Sequence, residues 1–440
     1  MSGPTPVDGP VDQAPDVVCL GESMVTFLPS RPGRLADVPS FTRAIGGAES
    51  NVACALAAAG HRVRWVGRVG RDGFGDHLVS AIGAHGVDVT AVGRDPHRPT
   101  GVYFRTDEDR ATDAHEVVYY RAGSAASAMS PATVPYASVA DARILHVTGI
   151  TAALSADCLA LMRELTSPRP GRPLVSFDVN HRAGLWRDGT APEVLRELAC
   201  GADVVFVGAD EAERLWGVSD PAGIRAVLAD PAVLVVKRGG EGAVAFERCA
   251  EPFPTPPPTP GGVGGPPLPE PGLRPGPRAS NAGEAGSPAR PAFEGTAAGR
   301  TGSGGSPPVS GRGGVGEEAP RSGPAPGSGS SPHTRPAHDT VTPDDVTHAP
   351  APRVALVSPV GAGDAFAAGF LSATLRGLGM AARLRHGHLV AAAVLTVPGD
   401  VAAPPRRDHA DRLVALDAAA WGTLHLGPGW TGDDQEVRTP

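Results

Sequence analysis

SPVGAGDAFAAGFLSATL, residues 358–375, decides how this 440-residue chain is read. The apolar run RVALV (353–357) leads into it as a strand. Glycines at 361 and 363 leave the backbone bare, and a helix of small residues follows at once. The first N–H groups of such a helix lack intrahelical partners and its dipole is positive at that end, which makes the turn an anion site. Asp364 falls in the first helical turn beside those donors. A carboxylate there can take the proton of an attacking hydroxyl, and bare amides can hold the charge spread over a phosphoryl group in transfer. The plainer reading of Asp364, as a complement to the helix dipole, uses the same position.

Working outward, strands and helices alternate. VVCLGE (17–22) and RVRWVGRVG (62–70) read as strands. AESNVACALAAAG (48–60) and FGDHLVSAIGAHG (74–86) read as helices stopped by Gly60 and Gly86. RILHVTGI (143–150), PLVSFDVN (173–180) and ADVVFVGA (202–209) are nearly continuous apolar runs, as expected of strands buried on both faces of a parallel sheet. The alternation predicts an α/β sandwich. Residues 98–122 differ: two polar, alternating strands flank an acidic turn, and with 23–45 they predict a small β lid that would keep water from the reacting groups.

One composition break interrupts this pattern. About 43 of residues 251–350 are Pro or Gly, above the ~25–30% typical of low-complexity chain. Phe253 and Phe293 are the only aromatic residues there. Such a segment buries too little apolar surface to offset its ordering entropy. The flanks, PAVLVVKRGGEGAVAFE before and RVALVSPVGAGDAF after, place it within one domain at a surface hairpin, where loop length costs little. The expected organisation is a disordered tail over 1–15 and a first catalytic segment over 16–250. A disordered insert over 251–350, a second catalytic segment over 351–425 and a tail over 426–440 complete it.

The net charge of −8 argues against a nucleic-acid partner. The N-terminal residues lack the basic and apolar regions of a signal peptide, and apolar runs stop well short of a membrane span, so a cytoplasmic location is expected. Five scattered cysteines without C-x-x-C spacing predict reduced thiols and no zinc site. His146, in an apolar strand, reads as a core residue rather than a ligand. Lys237 is the only lysine in the chain.

A second glycine motif, AIGGAESNVACALAAAG (44–60), completes the pattern. Gly46 and Gly47 permit close backbone approach to a ligand, and Asn51 can both donate to and accept from sugar hydroxyls. The two motifs, with VGRVGRDGFGDHLVSAIGAHGV (66–87) between them, resemble the signatures of the ribokinase-like (PfkB) sugar kinases. That resemblance covers about 16–249 and 351–425. It implies a three-layer α/β sandwich with a central, mostly parallel sheet and a small β lid, Mg2+ and ATP as cofactors, and a homodimer joined through the lid. It also implies Asp364 as base, with Gly361, Ala362 and Gly363 supplying the anion hole.

Within that family, Tyr103 in GVYFR, the run YYRAGSA (119–125) and DVNHR (178–182) resemble 2-keto-3-deoxygluconate kinases. By that resemblance Tyr103, Tyr119, Arg121, Asn180 and Arg182 line a sugar-acid site, and a guanidinium forking onto a carboxylate suits an acid. VVKRGGEGA (235–243) resembles the ATP-lining strand and turn, with Gly239 and Gly242 shaping the turn. Lys237 stands where many relatives carry Thr, and its ammonium can contact a phosphate as a point charge. Glu211 falls where the family keeps a glutamate that organises magnesium through water. Gly208 and Ser358 stand where relatives carry Asn and Asp. A kinase for a neutral sugar such as fructose or ribose, or for a nucleoside, is the nearest alternative. A non-catalytic sugar sensor that recruits partners through its Pro-rich segment is a more distant one.

Overall fold

The computed structural model describes residues 14–31, 33–106, 116–248 and 344–432. The chain divides into one compact unit, Met1–Pro256 with Thr340–Pro440, and a second, Pro257–Asp339, which lies outside the described residues. The expected disorder of 1–15 and 251–350 and the acidic turn of the lid fall largely outside them as well.

The strands in chain order are β1 (Val17–Leu20), β2 (Met24–Pro29), β3 (Phe41–Gly46), β4 (Val63–Val66), β5 (Arg68–Gly70), β6 (Gly93–Asp95), β7 (Val102–Arg105), β8 (Val117–Tyr120), β9 (Ile144–Thr148), β10 (Leu174–Asp178), β11 (Val204–Gly208), β12 (Val233–Lys237), β13 (Ala243–Arg248), β14 (Asp344–Ala349), β15 (Arg353–Val354) and β16 (His425–Leu426). Eight of them form the central sheet in the order β14-β13-β12-β11-β10-β9-β1-β4. Pairing is parallel from β4 through β12 and antiparallel from β12 to β14.

Side chains alternate across a strand, and here both faces are apolar. Val205, Val207, Leu234 and Val236 pack on one side with Leu161, Leu195 and Leu198. Val204, Phe206, Val233 and Val235 pack on the other with Leu56, Phe366, Phe370 and Leu384. This is a three-layer α/β sandwich. Phe206 meets Phe370 and Phe366 edge to face at 5.3 and 6.4 Å between centroids, which fixes the helix Ala362–Leu375 against the sheet. Gly369 lets that helix approach the next one, Met380–Leu395: a Cβ there would stand 2.4 Å from the His386 carbonyl oxygen.

A second sheet, β3-β2-β7-β8, covers one edge of the sandwich. Stacked Phe27 and Phe104, 4.7 Å apart, and Phe41 edge-on at 5.2 Å hold it together. His146 is buried with Nδ1 3.0 Å from the Ser176 hydroxyl, as a core histidine should be. Among the described residues Cys19, Cys54, Cys158 and Cys200 are free thiols. No helix among them is long and apolar enough to cross a membrane.

Three boundaries differ from the sequence reading. The insert expected over 251–350 ends at least six residues early, because Asp344–Ala349 pairs antiparallel with β13 from Arg248↔Asp344 to Ala243↔Ala349. This strand, DDVTHA, carries little apolar signal and was masked by its Pro/Gly-rich neighbourhood. The strand expected over 353–357 is only two residues long and pairs with His425–Leu426 outside the central sheet. Residues 426–432, expected as tail, bring buried Leu426 and Trp430 into a cluster with Trp421 and Leu389.

One buried acid has a stability consequence. Burial pushes the Glu49 carboxyl up to about 7, against hydrogen bonds from the Thr148 and Thr151 hydroxyls at 2.8 Å each that pull it down. The folded state therefore holds this proton more tightly than the unfolded chain, and the group's contribution to stability declines as pH rises from the ordinary carboxylate range through 7. The thermal midpoint of Glu49→Gln relative to wild type should accordingly be more favourable at pH 8 than at pH 5. An equal difference at the two pH values would show that Glu49 is ionised throughout.

Candidate active site

Gly361 caps the helix Ala362–Leu375 with φ +81°, a left-handed conformation that glycine adopts without strain. The next three residues, Ala362, Gly363 and Asp364, open the helix, where backbone N–H groups lack intrahelical acceptors. Asp364 accepts from Asn51 Nδ2 at 2.9 Å and, at the long limit of 3.5 Å, from Asn180 Nδ2. Asn180 is held at φ +39°, the one non-glycine residue with positive φ among those described. Burial pushes the Asp364 carboxyl up to about 7. The Asp178 carboxylate adds to that, while Asn51 and the charges of Arg182 and Lys237 oppose it. A base poised near neutral pH is what proton abstraction needs.

Asp364 stands between two cavities. One, of about 700 Å³, lies under the lid and is lined by Gly47, Asn51, Tyr103, Tyr119, Arg121 and Arg182 among others. The other, of about 1040 Å³, is lined by Asp178, Asn180, Glu211, Lys237, Gly239 and Gly242, and by the Gly361–Asp364 turn. Arg182, Val360, Gly361 and Asp364 border both.

The sequence model of pfkB family carbohydrate kinases matches residues 14–260 and 339–407. The chain belongs to this family. It is therefore a sugar kinase with the ribokinase-like fold. It is 37% identical over 247 residues to the 2-dehydro-3-deoxygluconokinase of Bacillus subtilis (strain 168), spanning 54% of this chain and 74% of that protein. It is 31% identical over 203 residues to fructokinase-2 of Solanum habrochaites, spanning 46% and 61%. Among solved structures, the PfkB protein from Polaromonas sp. JS666 superposes with a TM-score of 0.60 at 27% identity, covering 88% of this chain and 98% of that one.

Several residues of this pfkB kinase differ in surroundings from the sequence reading. Arg121, expected to hold a substrate carboxylate, is paired with buried Glu22, which also accepts from Ser124 Oγ at 2.8 Å. Its charge is already balanced within the protein. Arg182 makes a hydrogen bond to the His181 carbonyl at 3.2 Å and no ion pair among the described residues, so its charge remains available. Gly46 does not line either cavity. It lies beneath Tyr103, whose hydroxyl would stand 2.0 Å from a Cβ at that position. Tyr103 donates to Asp400 at 3.0 Å, and Asp400 also pairs with Arg105 at 2.9 Å, both side chains 5% exposed.

Glu211 is a brace. Its two oxygens accept from the amides of His181 at 3.0 Å and Gly208 at 2.9 Å, because it occupies the third position of a helix that Gly208 caps. Gly239 and Gly242 both adopt positive φ, as the turn they form requires. Four residues of the site escaped the sequence reading: Glu22, Arg105, Asp178 and Asp400. Glu22, Arg105 and Asp178 stood within quoted stretches (VVCLGE, GVYFR and DVNHR) but were given no role. Glu22, Arg105 and Asp400 act through partners 99 or more residues away, which no local spacing encodes.

Proposed function

We propose that this kinase transfers the γ-phosphoryl group of ATP to a hydroxyl of 2-dehydro-3-deoxygluconate or a closely similar sugar acid. One observation carries the chemistry: a half-buried carboxylate, Asp364, borders both cavities beside the bare amides of Ala362 and Gly363. The sugar occupies the lid-side cavity and the nucleotide the larger one. Asp364 takes the hydroxyl proton as the hydroxyl oxygen bonds to the γ-phosphorus. The bond from phosphorus to the β–γ bridging oxygen breaks, and its electron pair leaves with ADP. The amides at the helix start hold the charge on the equatorial oxygens.

Among the described residues no three carboxylate, histidine or cysteine groups converge to cage a metal. Mg2+ would be carried mainly by nucleotide phosphates and water. Asp178, Asp210, Glu211 and Asp364 are the carboxylates lining the larger cavity, and the ion would neutralise phosphate charge. The exposed edge of the lid, with Val118, Tyr119 and Tyr120 at 41, 49 and 64% exposure, supports pairing of two copies there.

The acid substrate is supported by the unpaired charge of Arg182 at the junction of the cavities and by the likeness to a 2-dehydro-3-deoxygluconokinase. The neutralisation of Arg121 by Glu22, with the likeness to a fructokinase, favours a second reading in which the sugar is neutral. A sugar panel with purified protein separates them. On the acid reading Arg182→Ala raises KM for the sugar acid at least about tenfold, the scale of a lost charge-assisted pair, and leaves weak neutral substrates unchanged. If a neutral sugar is the best substrate and Arg182→Ala does not disturb it, the acid reading is wrong.

A further inference from the structure

We propose that Asp178 is a positioning residue for phosphoryl transfer: it holds the ammonium of Lys237 beside the anion hole, where that charge meets the phosphoryl group in flight rather than the resting nucleotide. This rests on the kinase reading above and assigns a role to a residue that no motif had given one.

The geometry is built from strand ends. Asp178 closes β10 and Lys237 closes β12, with β11 between them. Their backbones are therefore about two strand spacings, or roughly 10 Å, apart. A shorter side chain at 237 could not cross that gap. Lys237 Nζ reaches Asp178 Oδ2 at 2.7 Å, with the carboxylate side chain 3% exposed and the lysine 19% exposed. Both line the larger cavity.

The pair is poorly explained as a stabilising bridge. Burying two charges costs desolvation that a single contact repays badly. Asp178 Oδ1 is buried without a hydrogen-bond partner among the described residues. The ammonium has three donors and spends one on Asp178. Its remaining donors lie near the helix start: a Cβ on Gly363 would be 3.5 Å from Nζ. Burial pulls the ammonium pKa down, but the carboxylates of Asp178, Glu211 and Asp364 raise it on balance, so the charge persists. A fixed cation with spare donors at the point where charge spreads over equatorial oxygens is a transition-state contact.

The test uses Lys237→Met, Asp178→Asn and the double variant, with three readouts. These are ATP affinity by calorimetry, kcat by ADP release with the best sugar, and affinity for ADP with aluminium fluoride, a mimic of the moving phosphoryl group. Each single variant should lower kcat and aluminium fluoride affinity at least about tenfold while ATP affinity stays near wild type. In aluminium fluoride affinity the double variant should match Lys237→Met, because Asp178 reaches the phosphoryl mimic through the lysine. It also removes both buried charges together, which keeps the comparison usable if a single variant folds badly.

The sole lysine gives a direct probe as well. In 15N-lysine-labelled protein the one side-chain nitrogen resonance should move in Asp178→Asn. An ATP affinity that falls as far as kcat, an additive double variant or an unmoved resonance overturns the proposal. A wild-type protein that neither binds ATP nor consumes it with any sugar would instead defeat the kinase reading itself.

Discussion

Asp364→Asn will lower kcat by at least about 10²-fold, the scale of a lost general base, while sugar and nucleotide affinities stay near wild type. The amide is isosteric and still accepts from Asn51, whose donation to Asp364 spans 2.9 Å. What disappears is the capacity to take a proton. The same carboxyl sets a pH dependence. It is pushed up to about 7 by burial, with the charge of Asp178 adding and Asn51, Arg182 and Lys237 opposing. The base works only when ionised, so kcat/KM in wild type should climb through pH 7 and level off above it.

Stability runs the other way. A raised carboxyl pKa means that the folded state retains the proton, so this group's contribution is lost as pH rises towards 7. Asp364→Asn should therefore melt higher than wild type at pH 8 even as it fails to turn over, an exchange of stability for activity common at catalytic sites. A variant with near-normal kcat would remove Asp364 from the mechanism.

Gly361→Ala should be nearly as damaging for a different reason. At φ +81° a side chain costs about 1–3 kcal/mol in backbone strain alone. The new methyl carbon would also sit 2.4 Å from the Asp400 carbonyl oxygen, which is backbone and cannot rotate away. Either the helix start or the 400 loop must move. Asp400 anchors Tyr103 and Arg105 of the lid, so one shift disturbs the anion hole and the sugar cavity together. A displacement of about 1 Å at reacting groups is worth about 10²-fold, and a loss of that order in kcat/KM is expected. Gly379→Ala is the control: it meets no atom within 4 Å and has φ −66°, and its kinetics should match wild type. If Gly361→Ala behaves like the control, the turn is not the rigid element described here.

The parts of this molecule that were legible from sequence are those whose function is local. The glycines at 361 and 363 announce a helix start, and Asp364 in its first turn is found by counting three residues onward from Gly361. The apolar runs of β9 to β12 announce burial on both faces. The parts that were not legible are made by meeting. Arg121 looks like a free cation until the fold brings Glu22 to it. Tyr103 lines the lid-side cavity, but its hydroxyl donates to Asp400, a partner no local spacing reveals. Glu211 could have been recognised as a helix brace, since it lies three residues after the cap, but a glycine cap supplies no side-chain signal. β14 was obscured because composition was averaged over a window wider than one strand.

A protease that cuts only after lysine has a single target in this chain. That peptide bond follows the last residue of β12, between two neighbouring strands of the central sheet. The turn that follows it, residues 238–241, is exposed, but the Lys237 side chain that the protease must grip is paired with Asp178 at 2.7 Å. Digestion by such an enzyme would thus report how often the lysine leaves its carboxylate partner, and a nucleotide that fills the larger cavity should slow it.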